Sequence, residues 1–576
     1  MKETDPEANP DQALQSLFDE FWHYTLHEHP LQATRFGAHH YDDRLPEKDP
    51  EAYERRFEKE SDFLSRLREV PREAASPTYQ QNYDLFERLL KWSLREYELN
   101  TRYLEFNKLF GFHVTLPQIQ LQVPLETVKN FEDYTARLEA VPRFVRDHIE
   151  LLSEGVEKGV VPAANALRGV DEQLQSLISP RPEESPFFGP FHEMPEWIPA
   201  SDRDALTERA REVLSTSVND AFGEFLEFYR DTYRTAARDR TSCEALPKGA
   251  ELYRFLIDRH TTTNLTPEEI HEIGREDVRR IRRQMEEVKD ETGFDGDLQS
   301  FVSSLRNDER FYFEDPDELV RAYRDICKRM DARLPSLFGH LPRAEYGVRP
   351  IPEGSAEDAP AAYYLQPAVD GSHPGWFMVN TSNLSSRPSF EMEALALHEA
   401  VPGHHLQISL QQEASGLADF RRLASFMAYT EGWGLYAERL GREAGFYRDP
   451  YSEFGRLSFA IWRAARLVVD TGLHHMDWDP SEARTYLTEQ TALTEKNIQS
   501  EVDRYIAKPA QALSYRIGER KILELRTRAE RELGDAFSIR GFHDHLLGAG
   551  SLPLDLLDDR MRSWIDTHAD RSGEEE

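Results

Sequence analysis

Apolar residues recur along most of the chain at intervals of three and four, the spacing of helices that bury one face. Phe18 to Leu26 carries this pattern, and residues 131–157 continue it with a break near Pro142. Residues 267–290 predict the clearest helix. Thr266 is a good N-cap, Pro267 suits the first turn, Glu269 completes a capping box and Gly293 stops the run. Residues 315–333 predict another. From Pro180 to Pro199 the prolines forbid a helix and predict a long ordered surface loop, a candidate divide between an N-terminal lobe and the rest. The period changes in one region. Tyr346 to Pro350, Ala361 to Pro367 and Gly375 to Asn380 are short, aromatic and β-branched, with Pro and Gly between them, and predict a small antiparallel sheet. Helical spacing resumes at Phe390. The expected fold is mainly α with that one sheet. The expected organisation is a frayed segment 1–12, a helical lobe 13–240, a second lobe 241–566 and an acidic tail 567–576.

Composition agrees with a globular body. Of 576 residues 39% are hydrophobic and 30% charged, which supplies a core and excludes a disordered chain or a coiled-coil rod. Mean hydropathy is −0.67, and no run approaches the 18 or so apolar residues of a membrane helix. The N-terminus, MKETDPEANPDQ, has no apolar segment of the secretory type. Two cysteines, Cys243 and Cys327, exclude a disulfide scaffold and a Cys-rich zinc site, so a reducing cytoplasm is the expected location. Asp and Glu total 105 against 70 Lys and Arg, a net charge of −35 that repels nucleic acid and anionic membrane. Only 13 of the 70 basic residues are Lys. An acidic, Lys-poor surface suits concentrated salt, where self-repulsion is screened; an acidic cytosolic protein from a GC-rich genome gives the same composition.

The candidate chemistry lies in residues 398–405, His-Glu-Ala-Val-Pro-Gly-His-His. A zinc-protease helix carries His at i and i+4 with Glu at i+1 as general base. Here i+4 is Pro402, and the next histidines stand at i+6 and i+7. On a regular helix His404 would be turned about 240° from His398 and His405 would lie about 10.5 Å along the axis. Two ligands of one ion lie within about 4 Å of each other. A regular helix therefore fails for both. Pro402 removes a helical N–H and Gly403 permits unusual dihedrals, so a break there can return His404 to His398. A third ligand is expected from a following helix. Glu431, 27 residues beyond His404 and flanked by Gly432, Trp433 and Tyr436, is the candidate; Glu438 is its competitor, beside Arg439.

The run HEAVPGHHLQ followed by TEGWGLYAERL resembles the domain-of-unknown-function 885 family of zinc-peptidase-like proteins. Pro30 to Leu45, Arg466 to His474 and Lys508 to Gly518 agree, so the likeness extends from about residue 15 to 565. It implies a gluzincin-like, mainly helical metallopeptidase body with a central cleft, loosely similar to Taq-type carboxypeptidases and oligopeptidases. In those proteins the Gly-His of the motif supplies the second ligand, which selects His404 over His405. Members often carry a signal or lipid-anchor cysteine, and neither is visible here.

The leading expectation is a zinc-dependent peptidase acting on short peptides. One Zn2+ would be held by His398, His404 and Glu431, with Glu399 as general base and Tyr515 as oxyanion donor. His405, one residue past the ligand, is a candidate for substrate contact. Arg463 and Arg466 at i, i+3 could take a substrate carboxylate or form internal ion pairs, with Asp470 as a partner. Asn380 and Thr381 end the third predicted strand, whose edge could align an extended peptide. The alternatives are a non-catalytic metal- or peptide-binding helical protein, and an amidase or esterase using the same groups. Neither cysteine has a neighbouring base, and no phosphate-binding or dinucleotide glycine motif is present.

Overall fold

The computed structural model describes residues 9–352, 359–369, 371 and 373–572. The chain divides into two compact units, Met1–Gly249 with Ala418–Phe420, and Ala250–Leu417 with Arg421–Glu576. The first unit is helical. Its first helix, Pro10–Glu28, begins inside the segment expected to be frayed, because Pro10 takes the first turn and Asn9 caps it; residues 1–8 lie outside the described residues. The break expected near Pro142 separates helices Val128–Glu139 and Val141–Glu157. The proline-rich segment does not divide the chain and is not a mere surface loop. It lies within the first unit, where Phe187, Phe188, Phe191 and Ile198 are buried in its aromatic core with Phe112, Phe222 and Phe225. The prolines stop a long helix, and the side chains between them still fill the core.

The second unit carries the motif. Helix α1 (Pro267–Glu291) starts on the expected capping box between Thr266 and Glu269 and buries Ile270, Val278, Ile281 and Met285 at helical spacing. Helix α2 (Pro316–Asp331) buries Leu319, Tyr323, Ile326 and Met330 in the same way. Strands β1 (Tyr346–Pro350), β2 (Ala362–Leu365) and β3 (Gly375–Val379) follow. Then come α3 (Met392–Glu399), α4 (His404–Glu413), α5 (Met427–Ala444), α6 (Pro450–His474), α7 (Glu495–Ala507) and α8 (Ser514–Leu533). The last described helix, Leu554–Ser572, takes in the first residues of the expected acidic tail, whose end at 573–576 lies outside the described residues.

The sheet is mixed, not antiparallel. Its order is β1-β3-β2, with Val348 opposite Phe377 in a parallel pair and Tyr364 opposite Phe377 in an antiparallel one. The chain passes from β1 to the far edge before returning as the central strand. A central strand antiparallel to β2 then runs with β1.

Helix α6 is buried along nearly its whole length and packs on α1, where a Cβ on Gly274 would lie 2.7 Å from that of Leu467. Its Asp470 accepts the Tyr253 hydroxyl at 2.7 Å and the Ala510 N–H at 3.1 Å, which fixes the turn leading into α8. Helices α5 and α8 cross in backbone contact. A Cβ on Gly518 would lie 1.7 Å from the Ala428 carbonyl oxygen, and one on Gly432 would lie 2.5 Å from the carbonyl carbon of Gly518. That crossing sets Glu431 and Tyr515 close together, because each is within a turn of its glycine.

Gly518→Ala must therefore push α5 and α8 apart and should lower stability by about 3 kcal/mol. Gly223, inside helix Asn219–Phe228, has nothing within 4 Å of an added Cβ, and Gly223→Ala should gain about 0.5–1 kcal/mol. Denaturant and thermal melts of both variants check this; equal shifts would refute the close-crossing account.

Candidate metal centre

The motif folds as two helices rather than one. The chain leaves helical dihedrals at Ala400 (φ −96°, ψ −112°) and resumes the helix at His404. Pro402 has no N–H to return to the His398 carbonyl, and the Val401–Pro402 peptide is cis. The turn is held from outside. Trp433 Nε1 donates to the Pro402 carbonyl at 2.8 Å, and the His405 N–H donates to that of Ala400 at 3.1 Å. Gly403 passes so close to the end of α3 that a Cβ would lie 1.8 Å from the His398 carbonyl oxygen. The result is the one the spacing demands. The rings of His398 and His404 stand 4.7 Å apart, nearly perpendicular.

Helix α5 brings Glu431 to this pair. Its Oε2 lies 3.5 Å from His398 Nε2 and 3.6 Å from His404 Nε2. One ligating atom from each residue falls within 4.8 Å of the others, and no other such trio of His, Cys, Asp or Glu occurs among the described residues. Gly434, one turn on from Glu431, makes room for the imidazole: a Cβ there would lie 2.5 Å from His398 Cε1. His398 is 3% exposed, His404 12% and Glu431 14%, so the trio is buried and open at one edge.

The donor set fits a divalent ion. Two imidazoles and one carboxylate are the ligands of a catalytic zinc that keeps a position open, and Glu431 Oε2 already stands from both Nε2 atoms at the separation of two ligands on one ion. Glu431 Oε2 is buried and takes no hydrogen bond within the protein, nor does His404 Nδ1. A buried carboxylate oxygen without a partner is costly unless a ligand completes it. His398 is aimed through its other nitrogen: Nδ1 bonds to Glu438 Oε1 at 2.8 Å, and Arg463 Nη2 stands 3.7 Å from the same oxygen. A carboxylate behind a ligating histidine fixes its orientation and raises its basicity.

Electrostatics follow from this crowding. Burial opposes charge on His398, but Glu431 and Glu438 on either side outweigh it and lift the imidazole to about 10. Burial, reinforced by the charge of His398, lowers His404 to about 4. Burial would raise Glu431, yet His398, His404 and Arg504 hold it at about 2. Glu399, the residue after the first ligand, is pushed up to about 7 by burial against the opposing charge of His398.

Residues 30–561 match the family model described as "Bacterial protein of unknown function (DUF885)". The chain belongs to the DUF885 family. It is also similar to a protein of Colwellia psychrerythraea described as a lipoprotein, with 29% identity and a TM-score of 0.93 over 97% of this chain and 100% of that one. A second, from Shewanella oneidensis and described as a lipoprotein of unknown function, gives 17% identity and a TM-score of 0.67 over 96% of this chain and 100% of that one. Those descriptions concern the relatives. A comparison with functionally curated proteins gives no match. Among the described residues of this DUF885 chain, no helix is long and apolar enough to cross a membrane.

The other expected site residues divide. Tyr515 stands at the centre, its ring stacked over that of His398 at 6.5 Å between centroids, with its hydroxyl accepting from Arg504 Nη2 at 3.3 Å. His405 does not reach the site. It is 2% exposed, and its Nε2 donates to the Ala344 carbonyl at 3.1 Å while Nδ1 accepts the Tyr364 hydroxyl at 2.8 Å, so it ties α4 to the sheet. Asn380 is also diverted. It follows the central strand, which has no free edge, and its amide donates to the carbonyls of Ala359 and Pro360. Arg463 and Arg466 form internal ion pairs, with Glu438 and Glu501 rather than Asp470. Glu438, the competitor of Glu431 as third ligand, is 3% exposed and orients the first ligand instead. The sequence does carry a signal for it: it stands seven residues after Glu431, two turns along the same helix face.

Purified DUF885 chain should take up about one zinc. His398→Ala, His404→Ala and Glu431→Gln should each abolish uptake, while Glu438→Gln should weaken it about 10–100-fold. His405→Ala should keep zinc and lose about 2 kcal/mol of stability with its two hydrogen bonds. Metal analysis and competitive chelator titration read the first set, and thermal melts the last; a His405→Ala protein without zinc would contradict this assignment.

Proposed function

We propose that the chain is a zinc-dependent hydrolase of peptide bonds, acting on short peptides. The observation that carries this reading is the convergence of His398, His404 and Glu431, whose buried Oε2 takes no hydrogen bond, with Glu399 adjoining the first ligand. Held by that trio, a divalent ion would supply Lewis acidity and the activation of water near neutral pH.

The chain's own residues account for the remaining requirements. Glu399 holds a proton acceptor beside the site in surroundings that lift its carboxyl to about 7, so it can both take a proton and return it to a leaving amine. Glu438 keeps the His398 ring turned with Nε2 toward Glu431 and His404. Arg504 donates to the oxygen of Tyr515, which leaves the phenolic O–H free to point to a developing oxyanion. A trio exposed by only 3–14% admits an extended segment and turns away a folded protein surface.

A protein that merely stores or senses a metal has the same use for the three ligands but none for Glu399. Zinc-loaded Glu399→Gln should therefore keep about one ion per chain and lose about 10²–10⁴-fold in turnover of a mixed peptide library. Wild-type turnover in Glu399→Gln, or undiminished wild-type turnover after exhaustive chelation, would sink this reading.

A further inference from the structure

Three large apolar side chains stand exposed among the described residues, and two of them share one place in the first unit: Leu121 at 41% and Trp197 at 71%. Leu121 lines a groove of about 450 Å³ with Leu125, Pro190 and the buried Phe131. Trp197 is tied to the same segment. Its Nε1 donates at 2.8 Å to the carbonyl of Glu126, the residue after Leu125. A lone exposed leucine is ordinary, whereas an apolar groove with an exposed tryptophan beside it marks a contact surface.

Both parts are held in place. Gln120 Nε2 donates to the carbonyls of Pro117 at 3.0 Å and Pro186 at 2.8 Å, which joins the turn Leu116–Leu121 to the proline-rich segment. Gly189 lets the two pass closely, since a Cβ there would lie 2.6 Å from Gln120 Oε1. Ile198, next to Trp197, is 2% exposed in the core of the unit, and its N–H donates to the Pro195 carbonyl at 3.1 Å. The backbone of Trp197 is thus anchored while its ring faces water. A tryptophan so placed adds little to the core, and a surface already formed loses little freedom on binding.

Charge selects the occupant. Glu193 lines the groove, Glu126 holds the indole through its backbone, and Glu196 precedes Trp197. None of these three carboxylates forms an ion pair among the described residues. The cations on the flanking helices are engaged: Lys129 by Asp133, Arg209 by Glu139, and Arg211 by Glu183 and Glu208. Arg203 is flanked in sequence by Asp202 and Asp204, and His192 at the groove donates to the Glu183 carbonyl. An indole face attracts a cation, and unpaired carboxylates around it add to the attraction. The net charge of −35 opposes a second copy of the chain or an anionic membrane here and favours a basic partner.

We propose that this surface docks a basic, partly apolar segment of another protein. A lysine or arginine of that segment lies over the Trp197 ring, and its apolar neighbours enter the groove at Leu121 and Phe131. The proposal does not depend on the peptidase reading.

The probe is a random peptide library displayed on phage, depleted on the Trp197→Ala chain and then selected on the full wild-type chain. Selected peptides should carry Lys or Arg beside Leu, Ile, Phe or Trp. A synthetic copy of the best binder is then titrated by calorimetry. Trp197→Ala should weaken its binding by about 30-fold or more. Glu126→Gln, Glu193→Gln and Glu196→Gln together should weaken it by about 10-fold and flatten its dependence on KCl. Trp197→Phe, which keeps a ring and loses the N–H, should fall between wild type and Trp197→Ala. Melting temperatures certify folding, and should Trp197→Ala fail to fold, Trp197→Phe and the triple glutamine variant decide. Selected peptides that lack a cation, or that bind wild type and these variants alike, overturn the proposal, and so does a selection that enriches nothing. Self-association of the wild-type chain, or its adsorption to phosphatidylcholine–phosphatidylserine vesicles, lost in Trp197→Ala would assign the surface to a second copy or a membrane and overturn it too.

Discussion

Gly403 has no room for a side chain, and the position of the metal centre depends on that. The backbone of the restarting helix lies against the carbonyl of His398, where a Cβ would sit 1.8 Å from oxygen. Only this contact lets a histidine six residues on meet the first, in place of the usual separation of four. The other ligand is placed by the same kind of constraint. Gly434 admits the His398 ring against α5, and the Gly432–Gly518 crossing admits α8 against α5. Three close approaches at glycines thus locate His398, His404, Glu431 and Tyr515 relative to one another. Loops would hold them less tightly, since each contact joins rigid helices.

The charges are ordered around the first histidine. Glu431 and Glu438 flank His398 on its two nitrogens, and Arg463 stands behind Glu438. Acid, imidazole, acid and guanidinium therefore alternate from the ligand trio into the core. Each buried charge has an opposite neighbour, which is the condition under which buried ions are tolerated. The order also explains why Glu431 and Glu438 differ in role though both are carboxylates on α5. Glu431 Oε2 takes no hydrogen bond within the protein, whereas Glu438 Oε1 is committed to His398 Nδ1.

What can be read in the sequence is whatever local geometry fixes. The capping box at Thr266, the break after His398 and the three aromatic strands are properties of short windows, and each stands where the pattern puts it. His404 is legible because the rise of a helix rules out His405 and a Pro-Gly pair supplies the break. Strand order is not legible. Nothing in the runs at 346, 361 and 375 says that the last one enters between the first two, and the pattern gives Asn380 an edge that β3 does not have. Burial of polar groups is the other blind spot. His405 looks like a site residue until Tyr364 and the Ala344 carbonyl occupy both nitrogens, and Glu438 looks like a rival third ligand until His398 Nδ1 takes its carboxylate. Those partners lie 40 or more residues away in sequence.

Buried cations stand at the centre of a chain whose net charge is −35. Arg466 and Arg504 lie against the Tyr515 ring, each beside the Glu501 carboxylate. The field of the surface and these contacts act over different ranges. At an ionic strength of 0.1 M the screening length is about 10 Å, so exposed acidic groups far from the site contribute little within it. Groups in contact are barely screened, because burial excludes the salt. An arginine is also the right cation for buried surroundings. Lysine loses its proton when desolvated, as the lowered ammonium of Lys508 illustrates, whereas a guanidinium stays charged at any working pH. The excess of Arg over Lys, a trait of the surface in the composition, thus has a separate consequence in the interior: Arg463 and Arg466 can keep their charge beside Glu438 and Glu501 while water is excluded.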